Sequence, residues 1–202
     1  RIPSGPTENR GGRGRGVFGG GSPSYVNILN FITIATTGNA EDFGDMTIGH
    51  QSRASFASAT RGIWAGGYTP SGKSSRIDYV IISSKGGASD FGDTVITRQN
   101  PMGTSDATRG IYGGSRYSTA AVNNSPLIEF VTMASQGNAS EFGELTIGRG
   151  AMGTCSSPTR GIFAGGGTSG TVVAYNTIEY VTIKTLGNAQ DFGDLTGAAL
   201  DA

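Results

Sequence analysis

Apolar residues in this chain come in short alternating bursts, and the bursts recur. Ile178-Glu179-Tyr180-Val181-Thr182-Ile183 places Ile178, Tyr180 and Thr182 on one face of an extended strand and Glu179, Val181 and Ile183 on the other. The same pattern stands at 29–34, 77–82 and 128–133. β-Branched and aromatic residues dominate these segments, which argues for strands rather than helices. A second burst precedes each of them: Arg15-Gly16-Val17-Phe18, Arg61-Gly62-Ile63-Trp64, Arg109-Gly110-Ile111-Tyr112 and Arg160-Gly161-Ile162-Phe163, each running into a glycine pair. After each comes a turn opened by Gly38, Gly86, Gly137 or Gly187. The phrases Asp42-Phe43-Gly44-Asp45, Asp90-Phe91-Gly92-Asp93, Glu141-Phe142-Gly143-Glu144 and Asp191-Phe192-Gly193-Asp194 follow. A small-residue segment, such as 54–58 or 153–156, leads back to the next Arg-Gly.

The spacing turns these phrases into a repeat. Successive Arg-Gly arginines lie 46, 48 and 51 residues apart, the period of one supersecondary unit copied along the chain. From Ile34, Ile82, Met133 and Ile183 to the next phenylalanine is nine residues, and from Phe43, Phe91 and Phe142 to Arg61, Arg109 and Arg160, which open the next unit, is 18. From arginine to the start of the aromatic strand is 14, 16, 19 and 18. All variation in length therefore falls in one loop per unit, and so on one face. Four short strands per unit with no helical period predict an all-β fold, a small four-bladed β-propeller. One domain spans 1–202, with repeats 15–60, 61–108, 109–159 and 160–202, and 8–14 expected to complete the last blade. Such closure would remove exposed sheet edges.

Composition narrows the function. The 202 residues include 35 glycines, 15% are charged and the formal net charge is zero. A neutral chain has no excess of cations for phosphate, so no nucleic-acid partner is expected. No segment approaches the ~20 apolar residues of a membrane span, and no membrane insertion is expected. The first residue, Arg1, suggests a processed form or a piece of a longer chain. Cys155 is the only cysteine, which rules out an internal disulfide and a Cys/His metal centre.

Several motifs resemble chemistry. Gly67-Tyr68-Thr69-Pro70-Ser71-Gly72-Lys73-Ser74 fits the P-loop pattern, but a strand follows where a phosphate cradle needs a helix. Gly14-Arg15-Gly16-Val17-Phe18-Gly19 fits G-x-G-x-x-G without the helix or the distant acid. Asp-Phe-Gly evokes a kinase metal motif, but it occurs in every unit and no catalytic loop accompanies it. The carboxylates of these phrases could hold a cation such as calcium. The favoured reading pairs them with Arg15, Arg61, Arg109 and Arg160. His50 lies outside any repeated position, Cys155 reads as a packed thiol, and Phe18, Trp64, Tyr112 and Phe163 read as blade packing. No catalytic cluster, cofactor or metal ligand emerges, so the expectation is a protein that is not an enzyme. The unequal loops, 21–28, 68–76, 115–127 and 167–177, carry Tyr25, Tyr68, Lys73, Arg76, Arg116, Tyr117 and Tyr175. Tyrosine and arginine provide contact area and hydrogen bonds at modest entropic cost, so these are the candidate recognition residues.

The Gly-Gly strand, the strand with Tyr180 and the aromatic turn resemble kelch-type repeats, with Phe192 where a kelch blade usually has tryptophan. A closer resemblance is to repeats in virion structural proteins of marine and cyanobacterial bacteriophages. Residues 159–166, 176–183 and 187–196 carry it, and it covers nearly all of the chain after Arg15. It implies a non-catalytic particle component, located on the virion outside the cell, in a tail fibre or other surface appendage. Its partners would be other virion proteins or a host-surface glycan or protein, with self-association open. The alternative is a glycan-binding propeller lectin.

Overall fold

The computed structural model describes residues 14–22, 24–115, 124–168 and 173–200. Among these there is no helix, and the strands form four antiparallel sheets of three to five strands. The first sheet comprises β1 (Arg15–Gly19), β2 (Ile28–Thr33) and β3 (Glu41–Asp45). The second holds β4 (Ala54–Ala57), β5 (Arg61–Ala65), the short β6 (Tyr68–Thr69), β7 (Gly72–Ile81) and β8 (Ser89–Arg98). The third is built of β9 (Met102–Ser105), β10 (Arg109–Gly113), β11 (Leu127–Thr132) and β12 (Ser140–Glu144). The fourth is built of β13 (Gly153–Ser156), β14 (Arg160–Ala164), β15 (Tyr175–Thr182) and β16 (Gln190–Ala199).

Each sheet is an up-and-down meander. The small-residue strand pairs with the Arg-Gly strand that follows it, Ala54 opposite Ala65 and Gly153 opposite Ala164. Short connections such as 58–60 make hairpin neighbours, whereas the longer linker 46–53 carries the chain to the next sheet. Sheet boundaries are therefore offset from repeats counted from one arginine to the next. Among the described residues, the fourth sheet takes its strands from 153–199. The segment 8–14, expected to complete it, lies outside the described residues except for Gly14.

The Phe-Gly phrase forms the joint between sheets. In the first sheet Leu29 faces Gly44 and Asn30 faces Asp42, which leaves Phe43 as the extra residue of a β-bulge. The same shift recurs at Ile77/Asp78, Ile128/Glu129 and Ile178/Glu179. A bulge bends its strand and unhooks backbone groups from the ladder. Here the freed carbonyls serve the next sheet. Phe43 O and Asp45 O accept from Gly86 N (2.8 Å) and Ala88 N (2.7 Å), and Phe91 O and Asp93 O from Gly137 N (2.8 Å) and Ala139 N (2.8 Å). Phe142 O and Glu144 O accept from Gly187 N (2.9 Å) and Ala189 N (2.8 Å). Backbones meet so closely that a Cβ on Gly44 would lie 2.5 Å from Gly86 O. Glycine is thus required by the approach itself.

The recurring arginines complete the joint in a way that corrects the expected carboxylate pairing. Arg15, Arg61 and Arg109 donate to backbone carbonyls of the following sheet, Ile82 O (2.9 Å), Met133 O (2.7 Å) and Ile183 O (2.8 Å). Each guanidinium also lies over an aromatic ring of its own sheet, 4.9 Å from Phe31, 4.8 Å from Tyr79 and 4.4 Å from Phe130. A ring face and a carbonyl meet the needs of a planar cation at a half-buried position. Asp42 and Asp45 stay exposed.

Apolar packing lies between sheets. Leu29, Phe31, Phe43 and Met46 of the first meet Trp64 and Val80 of the second. Ile63, Ile77 and Phe91 of the second meet Tyr112, Val131 and Met133 of the third. Ile111, Ile128 and Phe142 of the third meet Phe163, Val181 and Ile183 of the fourth. Each fully buried large side chain contributes about 1.5–3 kcal/mol. Two expectations change at the ends of the series. Phe18 is exposed although Trp64, Tyr112 and Phe163 are buried, and Cys155 is exposed although Phe56 and Thr104 are buried. Both lie on faces that no further sheet covers among the described residues. The P-loop lookalike is a hairpin, Tyr68 paired with Lys73 and Thr69 with Gly72, and it continues as strand β7.

Candidate recognition rim

The unequal loops all join an Arg-Gly strand to its aromatic strand, so they leave their sheets at the same end. The linkers between sheets run along that end too, and the two sets are hydrogen-bonded in turn. Gly21 N donates to His50 O (3.0 Å), Tyr68 N to Gln51 O (2.8 Å), Gly67 N to Arg98 O (2.9 Å), and Ser115 N to Arg149 O (3.1 Å). Gly167 and Gly150 exchange a pair of such bonds. Beneath them Ser52, Asn100 and Ala151 hold equivalent linker positions with φ of 58°, 53° and 55°. They are joined in series, Asn100 N to Ser52 O (3.1 Å) and Ala151 N to Asn100 O (3.2 Å).

Buried ion pairs support this end. Asp78, Glu129 and Glu179 sit at one position of the aromatic strand and are fully buried. Arg53 Nη1 lies 2.6 Å from Asp78 Oδ2, Arg149 Nη2 lies 2.5 Å from Glu179 Oε2, and Arg98 pairs with Glu129. The arginines also donate to carbonyls where the loops leave the sheets: Arg53 to Trp64 O (2.8 Å) and Arg76 O (2.9 Å), Arg98 to Gly114 O (3.0 Å) and Leu127 O (3.1 Å), Arg149 to Gly165 O (2.8 Å). The acids hold the chain leaving the preceding sheet. Asp78 accepts from Thr47 Oγ1 (2.6 Å), Glu129 from Val95 N (3.1 Å) and Ile96 N (3.3 Å), and Glu179 from Thr146 N (2.7 Å). Tyr112 also donates its hydroxyl to Glu129 (2.7 Å), and burial together with that carboxylate pushes its pKa far above the usual phenol range.

Sequence reasoning missed these pairs. The signal was an acid on a strand face shared with valine and isoleucine, and an arginine five residues beyond Asp93 and Glu144. His50 obscured it in the first unit, for it occupies the place of Arg98 and Arg149 while the cation moves to Arg53. His50 Nδ1 lies 2.8 Å from Ile48 O, which can only accept, so Nδ1 carries the proton and Nε2 accepts from Ser74 Oγ (3.2 Å). Burial, reinforced by Arg53, lowers the pKa of this ring.

Four of the candidate recognition residues gather over the first two sheets. The rings of Tyr25 and Tyr68 lie 6.3 Å apart and 32° from parallel, Lys73 faces Tyr68 across the hairpin, and Arg76 reaches Thr47 Oγ1 (3.4 Å) at its base. Tyr25 has φ of 50°, and its carbonyl lies so near Gly49 that a Cβ there would come within 1.8 Å. Tyr175 lies in the fourth sheet, opposite Ala199. Arg116 and Tyr117 fall outside the described residues. All five described residues are half-buried, so each offers one face to solvent. Among the described residues no group of three or more His, Cys, Asp or Glu is placed to hold a metal ion.

No protein-family model matches this chain, and no curated protein matches it.

At the opposite end, Asp106 links two sheets. Its carboxylate accepts from Thr108 N (2.7 Å) and Arg109 N (2.7 Å) and lies 2.6 Å from Lys184 Nζ of the fourth sheet. Burial raises its pKa, but Lys184 and the two amides together outweigh burial and hold it below the ordinary value. A carboxylate depressed in the folded state stabilises fully above its unfolded pKa, and that contribution is lost as pH falls through the lowered folded value. Asp106→Asn should therefore lower the urea midpoint at neutral pH. The gap to the parent should close as pH falls from the ordinary Asp range, about 3.9, through the lowered folded value. A gap independent of pH would remove the charge from the account.

Proposed function

We propose that the chain is a non-catalytic structural module of a phage virion, located in a tail or surface appendage, with its sheets arranged as kelch-like propeller blades. It mediates assembly with other virion proteins or attachment to a host surface. The observation that carries this reading is the division of labour between recurring and varying residues. The recurring arginines, the Phe-Gly bulges and the buried Arg–acid pairs all hold sheets together. The varying loops leave their sheets at one end, and the first two place Tyr25 and Tyr68 side by side. A rigid scaffold carrying variable loops is a common basis of recognition.

Antibodies raised against the chain should decorate purified particles, and label confined to the soluble fraction would sink the proposal. The labelled protein should also bind intact host cells. Tyr68→Ala should weaken that binding by about tenfold, the effect of losing an aromatic anchor, with the unfolding midpoint unchanged. A variant that binds like the parent would take the tyrosine pair out of the site.

One observation favours the glycan-binding alternative. Shallow grooves recur at the same place in two sheets, one beside Tyr79, Ser84 and Ser89 and one beside Tyr180, Asn188 and Gln190. An aromatic face with polar neighbours suits a sugar ring. A glycan array decides between the readings: a saturable hit that is lost in Tyr180→Ala would favour the lectin.

A further inference from the structure

We infer that the chain associates head to tail with a second copy of itself, the first sheet of one molecule docking on the outer face of the fourth sheet of another. This goes beyond the virion reading and stands whether or not that reading holds. The basis is an interface that the chain builds three times internally and leaves half-built at each end.

Each internal joint has a trailing half on one sheet and a leading half on the next. The phenylalanine of the trailing half is buried in the first three sheets, Phe43 at 2%, Phe91 at 3% and Phe142 at 3% exposure, but Phe192 of the fourth is 55% exposed. The end of the aromatic strand belongs to the leading half. It is buried in the last three sheets, Ile82 at 7%, Met133 at 0% and Ile183 at 0%, but Ile34 of the first is 62% exposed. Their neighbours follow suit. Phe18 and Ala40 are uncovered on the first sheet while their counterparts Phe163 and Ala189 are buried, and Arg160 is exposed on the fourth. The two open faces are therefore the two halves of a fourth apolar cluster.

The internal joints also specify which polar groups would meet. Arg160 already lies over its own Tyr180 ring at 4.4 Å, as its counterparts lie over theirs, and would donate to Ile34 O of the second copy. Gly38 N and Ala40 N would donate to Phe192 O and Asp194 O. Asn39 would accept from Asp194 N, as Asn138 accepts from Asp93 N (3.0 Å) and Asn188 from Glu144 N (3.1 Å). The bulge glycine is ready for this contact, since a Cβ on Gly193 would meet nothing within 4 Å where its counterparts meet backbone. Because the two faces differ, the contact is heterologous, and copies add in one direction until a ring closes or a filament grows.

Analytical ultracentrifugation of the Cys155→Ser protein tests this. The parent should sediment above the 20.6 kDa of one chain, with the mass rising with concentration. Ile34→Asp and Phe192→Asp should each sediment as folded monomers, since both positions are exposed in the single chain. An equimolar mixture of the two should form a dimer that grows no further, because each supplies the face the other lacks. A parent that stays monomeric at ~100 µM, or a mixture that does not dimerise, would overturn the proposal. Oxidation of the Ile34→Cys/Phe192→Cys double variant gives an independent reading. Disulfide-linked dimers and higher species are expected, whereas a disulfide formed wholly within the monomer would show that the two faces meet inside one chain.

Discussion

Glu129→Ala is expected to destabilise the fold by about 3–5 kcal/mol, the usual cost of stripping one partner from a buried ion pair. Arg98 would keep its charge with no exposed surface, and Val95 N, Ile96 N and the Tyr112 hydroxyl would each lose their acceptor. A domain holds only about 5–15 kcal/mol in total, so the change should be visible as a large fall in the urea midpoint. The control is the pair Arg98→Met/Glu129→Leu. Removing both charges leaves no uncompensated ion, so the double variant should lose less than the sum of the single ones. A single-variant loss below about 1 kcal/mol, the level of an exposed pair, would mean that the charges are not buried together.

Gly143→Ala should cost roughly 2–3 kcal/mol through a different cause. Its Cβ would stand 2.1 Å from Gly187 O, and the partner is backbone, which cannot swing aside. The third and fourth sheets would have to part, and the bonds from Gly187 N to Phe142 O and from Ala189 N to Glu144 O would stretch with them. Overpacking of this kind falls in the range of 1–3 kcal/mol and beyond. Gly197→Ala serves as the comparison. It lies in β16 with nothing within 4 Å of a Cβ, and substitution there should stay within about 0.5 kcal/mol. Equal melting temperatures for the two variants would show that the joint tolerates separation.

Much of this architecture is legible in the sequence because alternation and repetition are local properties. The aromatic strands and the Arg-Gly strands stand where their β-branched residues place them. The invariant nine-residue step from Ile34 to Phe43 and its copies marks the turn and bulge of each joint. A period gives the length of a unit and not its phase, however. Whether the segment 54–57 belongs with the strand before or after it depends on hydrogen bonds, and the hairpin at 58–60 decides in favour of the strand after it.

The arginines misled for a related reason. Arg61 and the Asp-Phe-Gly-Asp acids recur together, but recurrence carries no direction, and the guanidinium reaches Met133 O across the joint. In that phrase the functional part is Phe-Gly, which makes the bulge, and the acids flank it at the surface. The rim was legible only as a set of unequal lengths. The contact of Tyr25 with Tyr68 depends on a left-handed tyrosine and on Gly49 beneath it.

The wandering cation of the first linker sets the rules for exchanging parts of this chain. Arg53 and Arg149 come from different positions of their linkers, and their acids differ by one methylene, Asp78 against Glu179. Each charge is fitted to a partner some 25 or 30 positions downstream. A cassette cut from arginine to arginine would sever one from the other and strand both. A cassette cut ahead of the linker and carried through the aromatic strand would bring its own neutralised pair, so chimaeras with a transplanted loop should be spliced at the Phe-Gly bulge.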